Sequence, residues 1–106
     1  MSRHDDRVTL RQMLDHMVEA VTYADSRSRG DLDSDRLFFL ALLKLVEIVG
    51  EAATRVSEPT QNAAPQVPWR QIIGTRNRLV HGYDAVDRDI LWDIVTIDFP
   101  PLASQV

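Results

Sequence analysis

The sequence predicts an all-α protein, and three observations carry that reading. Apolar residues recur at three- and four-residue spacing in four segments. No convincing strand pattern interrupts them. The segments are bounded by Gly, Pro, Ser and Asp residues of the kind that cap or stop helices. The connections are short, which fits a four-helix up-down bundle forming a single domain over residues 1–106.

The first helix is expected from about Asp6 to Ser26, where Leu10, Met13, Leu14, Met17, Val21 and Ala24 form one stripe. Asp5 and Asp6 favour its N-terminus, and Gly30 is a candidate C-terminal cap. The second starts at Ser34 or Asp35 and runs to about Val56. It is apolar over most of its circumference, with one charged strip of Lys44, Glu47, Glu51 and Arg55. Such a helix must be covered on more than one side, which makes it the central helix or one that also meets a second subunit. Ser57 to Val67, rich in Pro, Ala, Asn and Gln, reads as a loop. Pro68 opens a third helix carrying Trp69, Ile72, Ile73, Leu79 and Val80, with Gly82 as its terminator. Asp87 caps a fourth, holding Ile90 to Ile97, which Pro100-Pro101 stops.

Composition excludes several function classes. Twelve basic residues against sixteen acidic ones give a net charge of −4, so the chain is no basic nucleic-acid coat, and any RNA contact must be local. The absence of cysteine removes disulfides, thiol nucleophiles and Cys-based zinc sites. The three histidines, His4, His16 and His81, are not paired as metal ligands, and no cofactor is expected. The charged N-terminus has no apolar stretch behind it, and the run Leu37 to Leu43 ends at Lys44, so neither a secretory signal nor a membrane span is expected and the chain reads as cytoplasmic. Lys44 is the one lysine. Arginine suits phosphate recognition, although genomic base composition explains such a bias equally well.

Candidate chemistry concentrates in Arg76-Asn-Arg-Leu-Val-His-Gly-Tyr83. At about 100° per residue, Asn77 and His81 share a helix face, and Arg76 nearly eclipses Tyr83 if the helix persists that far. Arg78 points to the opposite side. The spacing alone is equally that of an ordinary helix end: a histidine capping the C-terminus and a tyrosine packing beside it.

The stretch resembles the RxxxxHxY motif of the HEPN superfamily, and in particular the HepT branch of ribonuclease toxins paired with a minimal nucleotidyltransferase antitoxin. Four further segments match in order: Glu47-Ile-Val-Gly-Glu51-Ala-Ala53, Val67-Pro-Trp69, Asp87-Arg-Asp-Ile-Leu-Trp-Asp-Ile-Val95 and Asp98-Phe-Pro-Pro-Leu102. The resemblance covers most of the chain, and the three motif positions are intact.

It implies an all-helical homodimer, with an active site where two motif helices meet. It also implies a metal-independent endoribonuclease. The RNA 2′-hydroxyl is the nucleophile, His81 moves protons, and Arg76 holds the phosphate and stabilises charge in the transition state. Asn77 orients His81 or a phosphate, or bonds within its own helix. Tyr83 positions substrate and is the residue to which the partner antitoxin attaches adenylate, blocking the site. The alternative is a catalytically silent HEPN subunit that binds and regulates a nucleotidyltransferase.

Residues 68 to 88 carry four arginines (Arg70, Arg76, Arg78, Arg88) against Asp84 and Asp87, a local +2 that two copies would turn into a basic cleft. Glu47 and Glu51 are spaced for acid–base work, but Lys44 and Arg55 flank them at helical spacing, which favours a salt-bridged strip. They are also placed to line the dimer cleft. His16 is expected at the rim of its stripe, and Trp69 and Trp92 as packing anchors.

Overall fold

Two long helices form the frame. α1 (Asp6–Ala24) begins where the extended Asp5 accepts the Arg7 amide at 2.9 Å. α3 (Arg36–Thr54) begins where Asp35 accepts the Phe38 amide at 3.2 Å. Both are side-chain N-caps satisfying amides that lack a helical partner. Met13, Met17 and Ala20 of α1 and Leu42, Val46 and Val49 of α3 are fully buried in one core. Truncating Leu42 to Ala there costs about 2–5 kcal/mol. The computed structural model describes residues 5–80 and 85–105.

The remaining elements are short: α2 (Asp31–Ser34), α4 (Glu58–Ala63), α5 (Trp69–Ile73), α6 (Thr75–Leu79), α7 (Arg88–Asp93), a π-helical turn at Ile94–Asp98, and α8 (Phe99–Gln105). α3 is the central helix, as its apolar circumference predicts: α1, α2, α5, α6, α7 and the π turn all pack on it. α8 and the π turn also close against α1. Leu37 and Leu40, early in α3, remain exposed, Leu37 at 81%. Among the described residues there is no strand beyond one isolated bridge, and no helix is long and apolar enough to cross a membrane.

Several expectations need correction. Gly30 does not end α1. Asp25 caps that helix, Ser26 takes the left-handed turn (φ 63°), and Gly30 instead precedes α2 with φ −63°. The Ser57–Val67 stretch is not all loop. Ser57 caps α4 and Pro59 lies in its first turn, where a missing amide hydrogen does no harm. Both hydroxyls, of Ser57 and of Thr60, donate to the Asp6 carboxylate, which ties α4 to the start of α1. Pro68 is the residue before α5, not its first helical residue.

The third helix is broken into α5 and α6 at Gly74. Thr75 is buried, and its hydroxyl donates back to the Ile72 carbonyl at 2.6 Å, a bond that competes with the helical ladder. The fourth does begin on Asp87, which accepts the Ile90 amide at 3.0 Å. Pro100-Pro101 does not stop it. The widened turn at Ile94–Asp98 precedes the pair, which then falls in the first turn of α8, where prolines are tolerated.

The expected anchors are in place. Trp69 is 8% exposed and donates its indole N–H to the Ala64 carbonyl at 3.1 Å. Trp92 meets Phe38 edge to face, with ring centroids 6.4 Å apart. His16, half-buried, lies with Nδ1 2.6 Å from the Gln12 carbonyl, a rim position.

Candidate functional site

The site is assembled where α3 passes α5 and α6. Gly50 makes the approach possible. A Cβ built there would stand 3.3 Å from the Ile72 carbonyl oxygen and 3.6 Å from Thr75 Cβ. The carbonyl that Gly50 admits is also the one that accepts the Thr75 hydroxyl, so the close crossing and the break between α5 and α6 meet at one atom.

A cleft of about 290 Å³ opens beside this crossing. Glu47, Glu51 and Thr54 of α3 form one wall, and Arg76 and Asn77 of α6 another. Arg76 and Asn77 are exposed. Among the described residues no carboxylate lies within ion-pair distance of the Arg76 guanidinium, although the other α6 arginine is engaged. Both terminal nitrogens of Arg78 lie 3.4 Å from Asp98 Oδ2, and Arg78 lines a separate cavity with Ile94, Ile97 and Leu102. The expectation that Arg78 points away from Asn77 therefore holds.

The helix carrying the motif ends earlier than the wheel requires. α6 stops at Leu79, three residues before Gly82, and Val80 is already extended (φ −100°, ψ 118°). The expected face shared by Asn77 and His81 rests on a residue outside the described ones. Val80 instead bridges antiparallel to Val86, and the Asp87 amide donates to the Leu79 carbonyl at 2.7 Å. These two contacts anchor both flanks of the His81–Asp84 segment at the end of α6. His81 and Tyr83 themselves, with Gly82 and Asp84, lie outside the described residues.

Two electrostatic expectations change. The basic cleft narrows, because Arg78 is tied to Asp98, and Arg88 lies over the Phe39 ring (4.2 Å) with Asp33 3.6 Å from its Nε. Arg76 is left as the cation of the cleft among the described residues, facing two carboxylates. The salt-bridged strip on α3 is not formed. Lys44, Glu47, Glu51 and Arg55 border a common groove, yet no pair among them comes within ion-pair distance. A four-residue helical spacing brings such side chains into reach but contributes only a few tenths of a kcal/mol, too little to fix them. What the one-dimensional reading missed is that Glu47 and Glu51 also face α6. The available signal was Gly50 between them, the one glycine of α3.

The fold and the cleft define a small all-helical domain, and comparison gives it a family. The model of the family described as "Ribonuclease HepT-like" matches residues 13–106. The chain belongs to this HEPN-superfamily family of endoribonucleases. Among its relatives, "Probable ribonuclease HepT" of Thermococcus cleftensis is 29% identical over 96 residues, 87% of each chain. "Putative RNase MJ1380" of Methanocaldococcus jannaschii is 27% identical over 106 residues, all of this chain and 97% of the relative. No solved structure matches the chain.

Proposed function

We propose that this protein is the toxin component of a type II toxin–antitoxin module, a metal-independent endoribonuclease acting as a HEPN-type four-helix homodimer. The observation that carries the reading is Arg76, left without a described carboxylate partner on an open cleft in a chain of the HepT-like family. An exposed guanidinium with no described carboxylate partner is open to an anion from solution, and a phosphodiester is the anion its planar fork suits.

In this mechanism the RNA 2′-hydroxyl attacks the adjacent phosphorus and the P–O5′ bond breaks. The products are a 2′,3′-cyclic phosphate and a free 5′-hydroxyl. His81 takes the proton of the 2′-hydroxyl or, protonated, gives one to the departing oxygen. Arg76 stabilises charge on the phosphate oxygens in the transition state. Asn77 and Tyr83 position substrate. A cognate minimal nucleotidyltransferase neutralises the toxin by transferring adenylate to the Tyr83 hydroxyl, which places a bulky anion over the site.

The test is incubation of purified, unmodified protein with total RNA in chelator, beside His81→Ala. Cleavage by wild type and at least about a hundredfold less by the variant is expected. Activity that requires added magnesium, or equal cleavage of an all-deoxy analogue, would overturn the mechanism. Sedimentation as a 12.1 kDa monomer at micromolar concentration would overturn the dimer.

A further inference from the structure

Glu47 and Glu51 have no place in the mechanism above, yet they form the wall of the cleft across from Arg76 and Asn77. Neither is held by Lys44 or Arg55, and among the described residues neither has an ion-pair partner. Two uncompensated carboxylates beside an anionic substrate oppose its binding by Coulomb repulsion. That repulsion is offset if the substrate presents hydrogen-bond donors to them. One wall of the cleft offers donors, the guanidinium and the Asn77 amide. The other offers carboxylate acceptors. A nucleotide has the complementary polarity: an anionic phosphate on one side, and N–H or O–H donors on its base and ribose.

We propose that Glu47 and Glu51 belong to the cleavage site and accept hydrogen bonds from donors of the nucleotide at the scissile phosphate. The proposal rests on the ribonuclease reading and adds to it a substrate-recognising surface from a helix outside the motif. The donor is either the Watson–Crick edge of a base or the ribose hydroxyl. Guanine suits a carboxylate best among the bases, because its N1–H and N2–H lie side by side.

The experiment uses the full-length protein and its Glu47→Gln, Glu51→Gln and double variants. Gln keeps the shape and the helix preference and removes the charge. Cleavage of a single-stranded RNA pool containing every dinucleotide step is mapped across a pH series. A drop of about tenfold or more is expected for the double variant, the scale of losing hydrogen bonds to charged groups. A loss concentrated at guanine-containing steps identifies the base as the donor. A uniform loss with a displaced low-pH limb identifies the ribose hydroxyl.

Affinity for the same short RNAs, measured in a His81→Ala background, gives a readout that needs no cleavage. It separates failure of this proposal from failure of the catalytic mechanism, and Arg76→Ala is its binding control. Should the double variant match the parent in rate, step preference, pH profile and affinity, the carboxylates are a solvated helix face and the proposal is wrong. Glu47→Asp and Glu51→Asp, which keep the charge but shorten its reach, are expected to fall between parent and Gln forms.

Discussion

The arginines at the junction of α1, α2, α3 and α7 are held very differently from the arginine of the cleft. Arg27 bonds Asp31 (3.1 Å) and Asp35 (2.9 Å) and lies 4.1 Å over the Phe38 ring. Arg29 bonds Asp33 (2.9 Å) and Asp89, joining α2 to the start of α7. Each guanidinium there has two carboxylates, and the Arg29–Asp89 contact brings sequence-distant elements together. Arg76 has none among the described residues. The same side chain serves as a staple where the fold supplies its anions and as a receptor where it withholds them. Arg36, Arg55 and Arg70 are likewise without a described carboxylate partner, so what sets Arg76 apart is its place on the cleft, where the proposed mechanism brings the anion from outside.

Breaking the contrast most sharply, Arg76→Ala is expected to lower RNA cleavage by about a hundredfold or more with an unchanged helical spectrum. Arg29→Ala, by contrast, is expected to keep cleavage within about twofold and lower the Tm by a few degrees. Rates and melting curves for the pair decide it; a large activity loss in Arg29→Ala would erase the distinction.

Gly50→Ala should come next. The added methyl meets a backbone carbonyl at 3.3 Å and cannot be relieved by a side-chain rotation, so α5 and α6 must shift. A severalfold fall in cleavage is expected, while the gain in helix propensity, about 1 kcal/mol, limits the change in Tm. If melting collapses and activity per folded molecule is retained, the crossing is a stability feature only.

A smaller effect concerns pH. The Arg27 guanidinium and the Phe38 amide hold the Asp35 carboxyl below its ordinary value of 3.8, and the Ser28 amide and Arg27 do the same for Asp31. A depressed folded pKa stabilises the fold above the ordinary value, and that stability is lost as pH falls through the folded one. Arg27→Ala should therefore move the acid-unfolding midpoint, followed by circular dichroism, toward neutral pH. An unmoved midpoint would show the pairs to be fully screened. Arg78→Ala should have the least effect, with cleavage within a fewfold of wild type, since its half-exposed pair with Asp98 lies on the other cavity.

The fold was largely legible where one signal dominated. The apolar stripe of α1, the all-round apolarity of α3 and the caps at Asp35 and Asp87 each act within a few residues, and each was read in place. The failures occurred where local composition and local chemistry disagreed. Ser57-Glu-Pro-Thr60 has the capping serine and early proline of a helix start, hidden in a stretch whose composition reads as loop. Thr75 breaks a helix by bonding backward, something hydrophobic periodicity does not register. Pro100-Pro101 reads as a stop in one dimension, and apolar spacing does not register the π turn that precedes the pair and packs on α1. The motif singles out Arg76 and Asn77, and the structure places both on the cleft. The orientation of Glu47 and Glu51 toward them was not legible, because it depends on Gly50 letting two helices touch.

The shortness of α5 and α6 has a consequence for when the cleft exists. Helices of five residues are far below the length that persists alone in water, so each is ordered by its tertiary contacts, above all with α3. Docking onto α3 and formation of the cleft are then one event. A nascent chain, released from synthesis only as far as α3, holds no such cleft. Nor does a chain whose α5–α6 arm has come away in a local opening, even with every core residue of α1 and α3 still in place. Amide exchange at Arg78 and Val80, whose protons bond Gly74 and Arg76 carbonyls, follows that opening directly. The free energy of this local opening, not the global stability of the domain, then sets the fraction of molecules that carry the cleft.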